Sequence, residues 1–139
     1  MKVLFVCWGN SGRSQFAEAF FEKLSSRHQV KSAGTNADER TKHFGTDHVP
    51  DIVADVMNEV GVDMSAKRRK QLTKEMADEA DIIIGIIDTQ FLPDYILKSP
   101  KFRHWDIPDP KGTDAAFHRK VRDQVKKEVE KLAREIERV

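Results

Sequence analysis

The sequence predicts an α/β fold: a single-domain three-layer sandwich in which a four-stranded parallel sheet carries helices on both faces. Three observations predict it. Two runs, Val3-Leu4-Phe5-Val6 and Ile82-Ile83-Ile84-Gly85-Ile86-Ile87, are apolar at consecutive positions, as in strands buried on both faces. Strand patterns alternate with segments whose apolar residues recur at steps of three and four, the order that yields a parallel sheet with crossover helices. With 139 residues the chain makes one domain, able to bury roughly two thirds of its unfolded surface in a single core.

The first strand ends at Val6, and a loop runs from Cys7 to Arg13. A helix over about 13–26 then places Phe16, Phe20 and Leu24 at fourfold spacing, with Ala17 and Phe21 beside them, as a core face. Val30 to Thr35 reads as a second strand ending in a turn, and 36–47, polar and aperiodic, as an exposed loop. Pro50 suits the first turn of a helix that carries Ile52, Val53, Val56, Met57 and Val60 on one face and stops at Gly61. Lys67-Arg68-Arg69-Lys70 reads as a solvated basic connection, followed by a short helix from Thr73 to Glu79. Asp81 to Asp88 is the central strand, 91–98 a helix and Phe102 to Trp105 a last strand, with Trp105 assigned to the core. After a two-proline loop, Asp106 to Gly112, a helix over 114–138 carries Phe117, Val121, Val125, Val129, Leu132, Ile136 and Val139 on its buried side.

Composition excludes several classes. Formal net charge is +1, with 34% charged residues of both signs, so there is no global electrostatic case for nucleic acid or an anionic membrane surface. No apolar run approaches the ~20 residues of a membrane span, and the N-terminus reads as a strand without a signal-peptide cleavage pattern. One cysteine permits no internal disulfide, which makes a cytoplasmic setting the default expectation. His43 and His48 lack metal-ligand company, so neither a metal nor a cofactor is expected.

In sheets of this kind ligands bind beyond the carboxyl ends of the strands, where the loops at 7–13 and 106–112 both begin. The first loop reads Cys7-Trp8-Gly9-Asn10-Ser11-Gly12-Arg13-Ser14. A strand that turns through such a loop into a helix aims main-chain N–H groups at one point, a ready anion site. Inward N–H groups, a helix N-terminus and the Arg13 guanidinium all favour a thiolate over a thiol at Cys7. The same donors suit the three equatorial oxygens of a transferring phosphoryl group, with the planar fork of Arg13 bidentate. Gly9 and Gly12 are expected to supply positive φ and close backbone approach, and Asn10 tolerates the left-handed region. Ser14 is placed to donate a hydroxyl hydrogen bond to the sulfur. A phosphoryl transfer also needs a proton for the leaving oxygen; Asp109, stiffened between Pro108 and Pro110, is the first choice and Asp106 the rival. No Gly-Lys-Ser/Thr follows the loop, so it is not a nucleotide P-loop.

Taken together, CWGNSGRS after VLFV, SAGT at Ser32–Thr35, the apolar strand ending in Asp88, and IPDP at 107–110 before a long helix resemble the low-molecular-weight protein tyrosine phosphatase family. The same motifs are similar to those of the thioredoxin-coupled arsenate reductases, which share that fold. The resemblance implies a phosphatase I-like fold, Cys7 as nucleophile, Arg13 as phosphate clamp and Asp109 as acid. It also implies that Asn10, Ser14 and Ser32 form the hydrogen-bond network that holds the loop. The departures carry information. Gly12 stands where family loops usually have a second cysteine, and the resolving cysteines of the reductases are missing, so only an external thiol can complete arsenate reduction here. Lys111-Gly112 follow the Asp-Pro where phosphatases often carry aromatics, and Trp8 is the candidate for the aromatic wall.

The sequence, with the resemblance, therefore predicts a cysteine-dependent phosphomonoester hydrolase, a protein tyrosine phosphatase working without metal through a cysteinyl-phosphate intermediate. It is expected to act on phosphorylated proteins or small aryl phosphates and to hold inorganic phosphate or another oxyanion. Its substrate-binding residues are Trp8, Gly9, Asn10, Ser11, Gly12 and Ser14, with Ser32 in support. The alternatives are an arsenate reductase using an external thiol, and a non-catalytic phosphate-binding module or phosphocarrier of similar fold.

Overall fold

The structure, a computed structural model, describes residues 1–137. Strands β1 (Lys2–Cys7), β2 (Gln29–Gly34), β3 (Ile82–Gly85) and β4 (Phe102–His104) form one sheet in the order β2-β1-β3-β4. Every pairing is parallel, with Phe5 opposite Ser32 on one side and opposite Ile84 on the other.

Because side chains alternate along a strand, β1 and β3 each feed two cores. Val3, Phe5, Ile82 and Ile84 point to the face covered by α1 (Arg13–Leu24), α3 (Asp51–Asn58) and α6 (Ala115–Glu137). Leu4, Val6, Ile83 and Ile87 point to the opposite face, beneath α4 (Lys74–Glu79) and α5 (Asp94–Leu97). The long stripe of α6 is buried at Val121, Val125, Val129, Leu132 and Ile136, while Phe117 is half-buried. Trp105 packs half-buried against Phe5, ring centres 5.7 Å apart. Arg138 and Val139, the last positions of the expected helix, lie outside the described residues. No helix among the described residues is long and apolar enough to cross a membrane.

Four expectations are corrected. Residues 36–47 are not all loop: α2 (Ala37–Phe44) forms there. Its only fully buried side chain is Ala37, so hydrophobic period could not reveal it; acids in its first turn, bases in its last and Gly45 beyond it at φ 72° stabilise it locally. Pro50 caps α3 from outside rather than opening its first turn, and α3 ends before Val60, which is 39% exposed. Leu24 is 47% exposed because α1 ends there, beyond the cover of the sheet. Between Asp88 and Lys98 the chain makes a 3-10 turn (Thr89–Phe91) and the short α5, since Pro93 interrupts a continuous helix.

Candidate functional site

The crossing of β1 into α1 lies at the middle of the sheet, between the carboxyl ends of β2 and β3. Main-chain bonds fix it there. Thr35 N donates to Cys7 O (3.0 Å) and Asn36 N to Trp8 O (2.8 Å), so the turn after β2 holds the loop from one side. Gly34 has to be glycine for that approach. A Cβ there would sit 2.7 Å from both Asn10 N and Trp8 O and 2.8 Å from Gly9 C, closer than carbon tolerates.

Within the loop the backbone departs from expectation at the glycines. Asn10, at φ 53°, takes the left-handed conformation, whereas Gly9 and Gly12 keep negative φ. The Asn10 side chain is fully buried and uses every polar valence it has. Nδ2 donates to Ser14 Oγ (2.7 Å) and Ser32 Oγ (3.0 Å); Oδ1 accepts from Gln15 Nε2 (3.0 Å) and Lys70 N (2.9 Å). Because Ser14 Oγ accepts from Asn10, its own hydrogen is left for the thiol, and Cys7 Sγ lies 2.9 Å away. Asn10 and Ser14, expected to touch substrate, thus stand behind the cavity wall: their side chains hold the loop, as does that of the buried Ser32.

Helix α1 begins with no capping side chain and no acid in its first turn. Among the described residues the main-chain N–H groups of Gly9 to Ser14 donate to no protein oxygen. The loop that carries the thiol thus holds several donors without a protein acceptor and the positive end of a helix, and an oxyanion is the complement such a loop fits.

The loop opens on a cavity of about 360 Å³ whose wall includes Cys7, Trp8, Gly9, Ser11, Gly12, Arg13 and Asp109. Arg13 is buried, its NH1 donating to Ile107 O (3.1 Å) and its NH2 3.6 Å from Asp109 Oδ2. One guanidinium so joins the loop of Cys7 to the loop of Asp109, from opposite ends of the chain. Asp109 is 49% exposed and its Oδ1 accepts from Lys111 N (3.0 Å), a local bond that shapes the turn between the prolines. Asp106 lies elsewhere, on a second recess of about 620 Å³ with Asp88, His104 and Trp105, which Cys7 does not line. Trp8, Arg13 and Asp109 form the divide between the two recesses. Among the described residues no cluster of three or more His, Cys, Asp or Glu side chains is placed to hold a metal ion.

The basic run at 67–70 is a second layer behind the loop, not a solvated connection. Arg68 O accepts from Gln15, Lys70 N donates to Asn10, and the buried Arg69 gives Nε to Ser11 Oγ (2.9 Å) and NH1 to Thr46 O (2.8 Å). Burial pulls the Arg69 guanidinium below its usual value and nearby Arg40 adds to this, with Asp47 opposing. Burial works the same way on Lys67, but hydrogen bonds to Glu22 (2.7 Å) and Glu18 (3.1 Å) outweigh it and raise that group. Gln15, Gly34, Arg40, Phe44 and Arg69 are the site-forming residues that sequence reasoning missed. Of these Gly34 carried a signal inside SAGT, and Arg40 and Phe44 one in the charge pattern of the helix they lie on, Asp38-Glu39 before Lys42-His43 and Gly45.

Known proteins resemble this chain along nearly its whole length. The family described as "Low molecular weight phosphotyrosine protein phosphatase" matches residues 2–139. A glutaredoxin arsenate reductase of Synechocystis sp. is 34% identical over 137 residues, 97% of this chain and 98% of that protein. A solved arsenate reductase in its phosphate-binding state superposes with a TM-score of 0.82 at 33% identity, covering 97% of this chain and 98% of that one. A low molecular weight protein tyrosine phosphatase from T. tengcongensis gives 0.81 at 26% identity, covering 100% and 99%.

Proposed function

Since this chain belongs to the low molecular weight phosphotyrosine protein phosphatase family, we propose that it hydrolyses phosphomonoesters, phosphotyrosine among them, through a cysteinyl-phosphate intermediate. The Cys7 thiolate attacks phosphorus in line and forms the S–P bond as the P–O bond to the leaving group breaks. Arg13 and the loop N–H groups hold the equatorial oxygens, and Asp109 gives its proton to the departing oxygen. Water then attacks phosphorus, Asp109 takes the proton back, and sulfur leaves with its electron pair while the Ser14 hydroxyl donates to it. Trp8 offers a flat wall for an aromatic leaving group.

The observation that carries this reading is the meeting of Cys7, Gly9, Ser11, Gly12, Arg13 and Asp109 on one cavity, in a loop whose N–H groups from Gly9 to Ser14 donate to no protein oxygen among the described residues. It is tested by hydrolysis of an aryl phosphate in the presence of a chelator, expected in the wild type and lost in Cys7→Ser.

A second reading has its own support in the arsenate reductases of 33–34% identity. Cys7 would attack arsenic with loss of water. An external thiol would then attack the Cys7 sulfur, releasing arsenite with the electron pair and leaving a mixed disulfide for a second thiol to resolve. Arsenate-dependent consumption of glutathione faster than aryl phosphate hydrolysis would establish that activity in place of the first.

A further inference from the structure

The cavity has one wall whose charges neither catalytic reading uses. Lys111 Nζ lies 4.9 Å from the centre of the Trp8 ring, and Arg40 Cζ lies 5.3 Å from that same centre. Arg40 Cζ is also 4.6 Å from the Phe44 ring, and Arg69 Cζ stands 5.2 Å from it on the way to Ser11. Cations and rings thus alternate from the acid loop through α2 to the phosphate loop. Among the described residues none of the three cations forms an ion pair. Arg69 gives Nε to Ser11 and NH1 to Thr46, whereas among the described residues Arg40 and Lys111 make no hydrogen bond through their charged groups.

Cation–ring stacking orients these groups but leaves their charge uncompensated. The stem of Arg40 also rests on the loop itself, its Cγ 3.4 Å from where a Cβ on Gly9 would be. Across the Trp8–Asp109 divide the sign reverses, with Asp88 and Asp106 on the neighbouring recess. The two recesses therefore differ in charge: the cavity that Cys7 lines carries Arg40 and Lys111, and the recess across the divide carries Asp88 and Asp106.

Building on the phosphomonoesterase reading, we propose that Arg40 and Lys111 form a subsite for a second anionic group carried by the substrate beside its phosphate. A substrate with that group meets two cations held over Trp8, and one with a cation there meets repulsion. The chemistry fits an acidic phosphopeptide or a small aryl phosphate bearing a carboxylate.

The test measures kcat/KM for two phosphotyrosyl peptides of equal length, flanked by Glu or by Gln, and for aryl phosphates with and without a ring carboxylate. Wild type is compared with the Arg40→Gln, Lys111→Gln and doubly substituted proteins at low and high salt. In the wild type at low salt the anionic member is expected to be favoured about tenfold, the effect of two partly screened ion pairs. The ratio should fall to about twofold in the double variant and fade with salt. A gain confined to the peptides assigns the subsite to phosphoproteins, and one confined to the aryl phosphate assigns it to small metabolites. Affinities of the Cys7→Ser protein for the same peptides give a readout independent of turnover. Selective binding without wild-type hydrolysis would remove the phosphatase reading and keep the subsite. Equal affinities and equal kcat/KM in the wild type, or a preference unchanged in the double variant, would overturn it.

Discussion

Ser14 Oγ lies 2.9 Å from Cys7 Sγ, the one side-chain hydrogen bond of the thiol among the described residues. Sulfur carries its full negative charge twice in the proposed cycle, before attack and on release from phosphorus. A hydrogen bond to a charged group is worth about 1.5–3 kcal/mol. Ser14→Ala should therefore lower kcat by about ten- to hundredfold, with KM falling alongside it as the cysteinyl-phosphate accumulates and shows as a pre-steady-state burst. Quench-flow with an aryl phosphate measures it.

Asn10 should show two separable contributions. Asn10→Ala strands the partners Ser14, Ser32, Gln15 and Lys70 N and puts alanine at φ 53°. The expected loss is ~2–4 kcal/mol in urea unfolding. Asn10→Gly loses the same bonds without the left-handed strain, and should be less destabilising by about 1 kcal/mol.

Gly34→Ala drives a methyl group into the backbone of Trp8 and Asn10 at 2.7 Å. Backbone cannot step aside as a side chain can, so the loop must shift. Destabilisation of ~1–3 kcal/mol should come with weaker vanadate binding in calorimetry, although residue 34 lies behind the loop and off the cavity wall.

Asp109→Asn should slow substrates with poor leaving groups by about a hundredfold or more and activated aryl phosphates far less, because only the former need a proton in the transition state. Asp106→Asn should leave that dependence intact, since Asp106 sits on the recess that Cys7 does not line. A Brønsted plot of kcat against leaving-group pKa distinguishes the two carboxylates.

Glu59 gives a pH dependence of stability remote from the site. Hydrogen bonds from Arg119, at 2.8 to 3.1 Å, hold its carboxyl down at about 2 from an ordinary 4.5; burial opposes, and Arg122 at 2.9 Å assists. A depressed carboxylate stabilises the fold above its unfolded value and loses that contribution as pH falls through the folded value. The wild type should exceed Glu59→Gln in melting temperature above pH 5, and the gap should close as pH falls from 4.5 toward 2.

The sequence made the sheet legible because its central strands are apolar at every position, a pattern that only two-sided burial explains. It brought Cys7, Arg13 and Asp109 forward as candidates because chemistry restricts the residue types in such a loop, and the structure places all three on one cavity. What stayed hidden was whatever works through main chain or through local charge. Helix α2 has no apolar stripe, so Arg40 and Phe44 passed for loop, although Asp38-Glu39 before Lys42-His43 and Gly45 is a start and a stop read in charge. Arg69 and Lys70 were hidden for a different reason. The carbonyl beside them, Arg68 O, accepts from Gln15, Arg69 N donates to Asp47 O, and the peptide groups of Lys70 serve Asn10 and Gly34; no side-chain pattern encodes that. The glycines misled in the opposite direction, since the strained position in the loop falls to Asn10.

Because the guanidinium of Arg13 hangs from the carbonyl of Ile107, it is also a mooring line for the segment that carries Asp109. Cutting it would do two things at once: take away the proposed grip on oxygen and let the Asp109 carboxyl drift. A rate deficit in Arg13→Ala is consequently a compound quantity, and only comparison with Arg13→Ala/Asp109→Asn can say how much of it belongs to the drifting carboxyl.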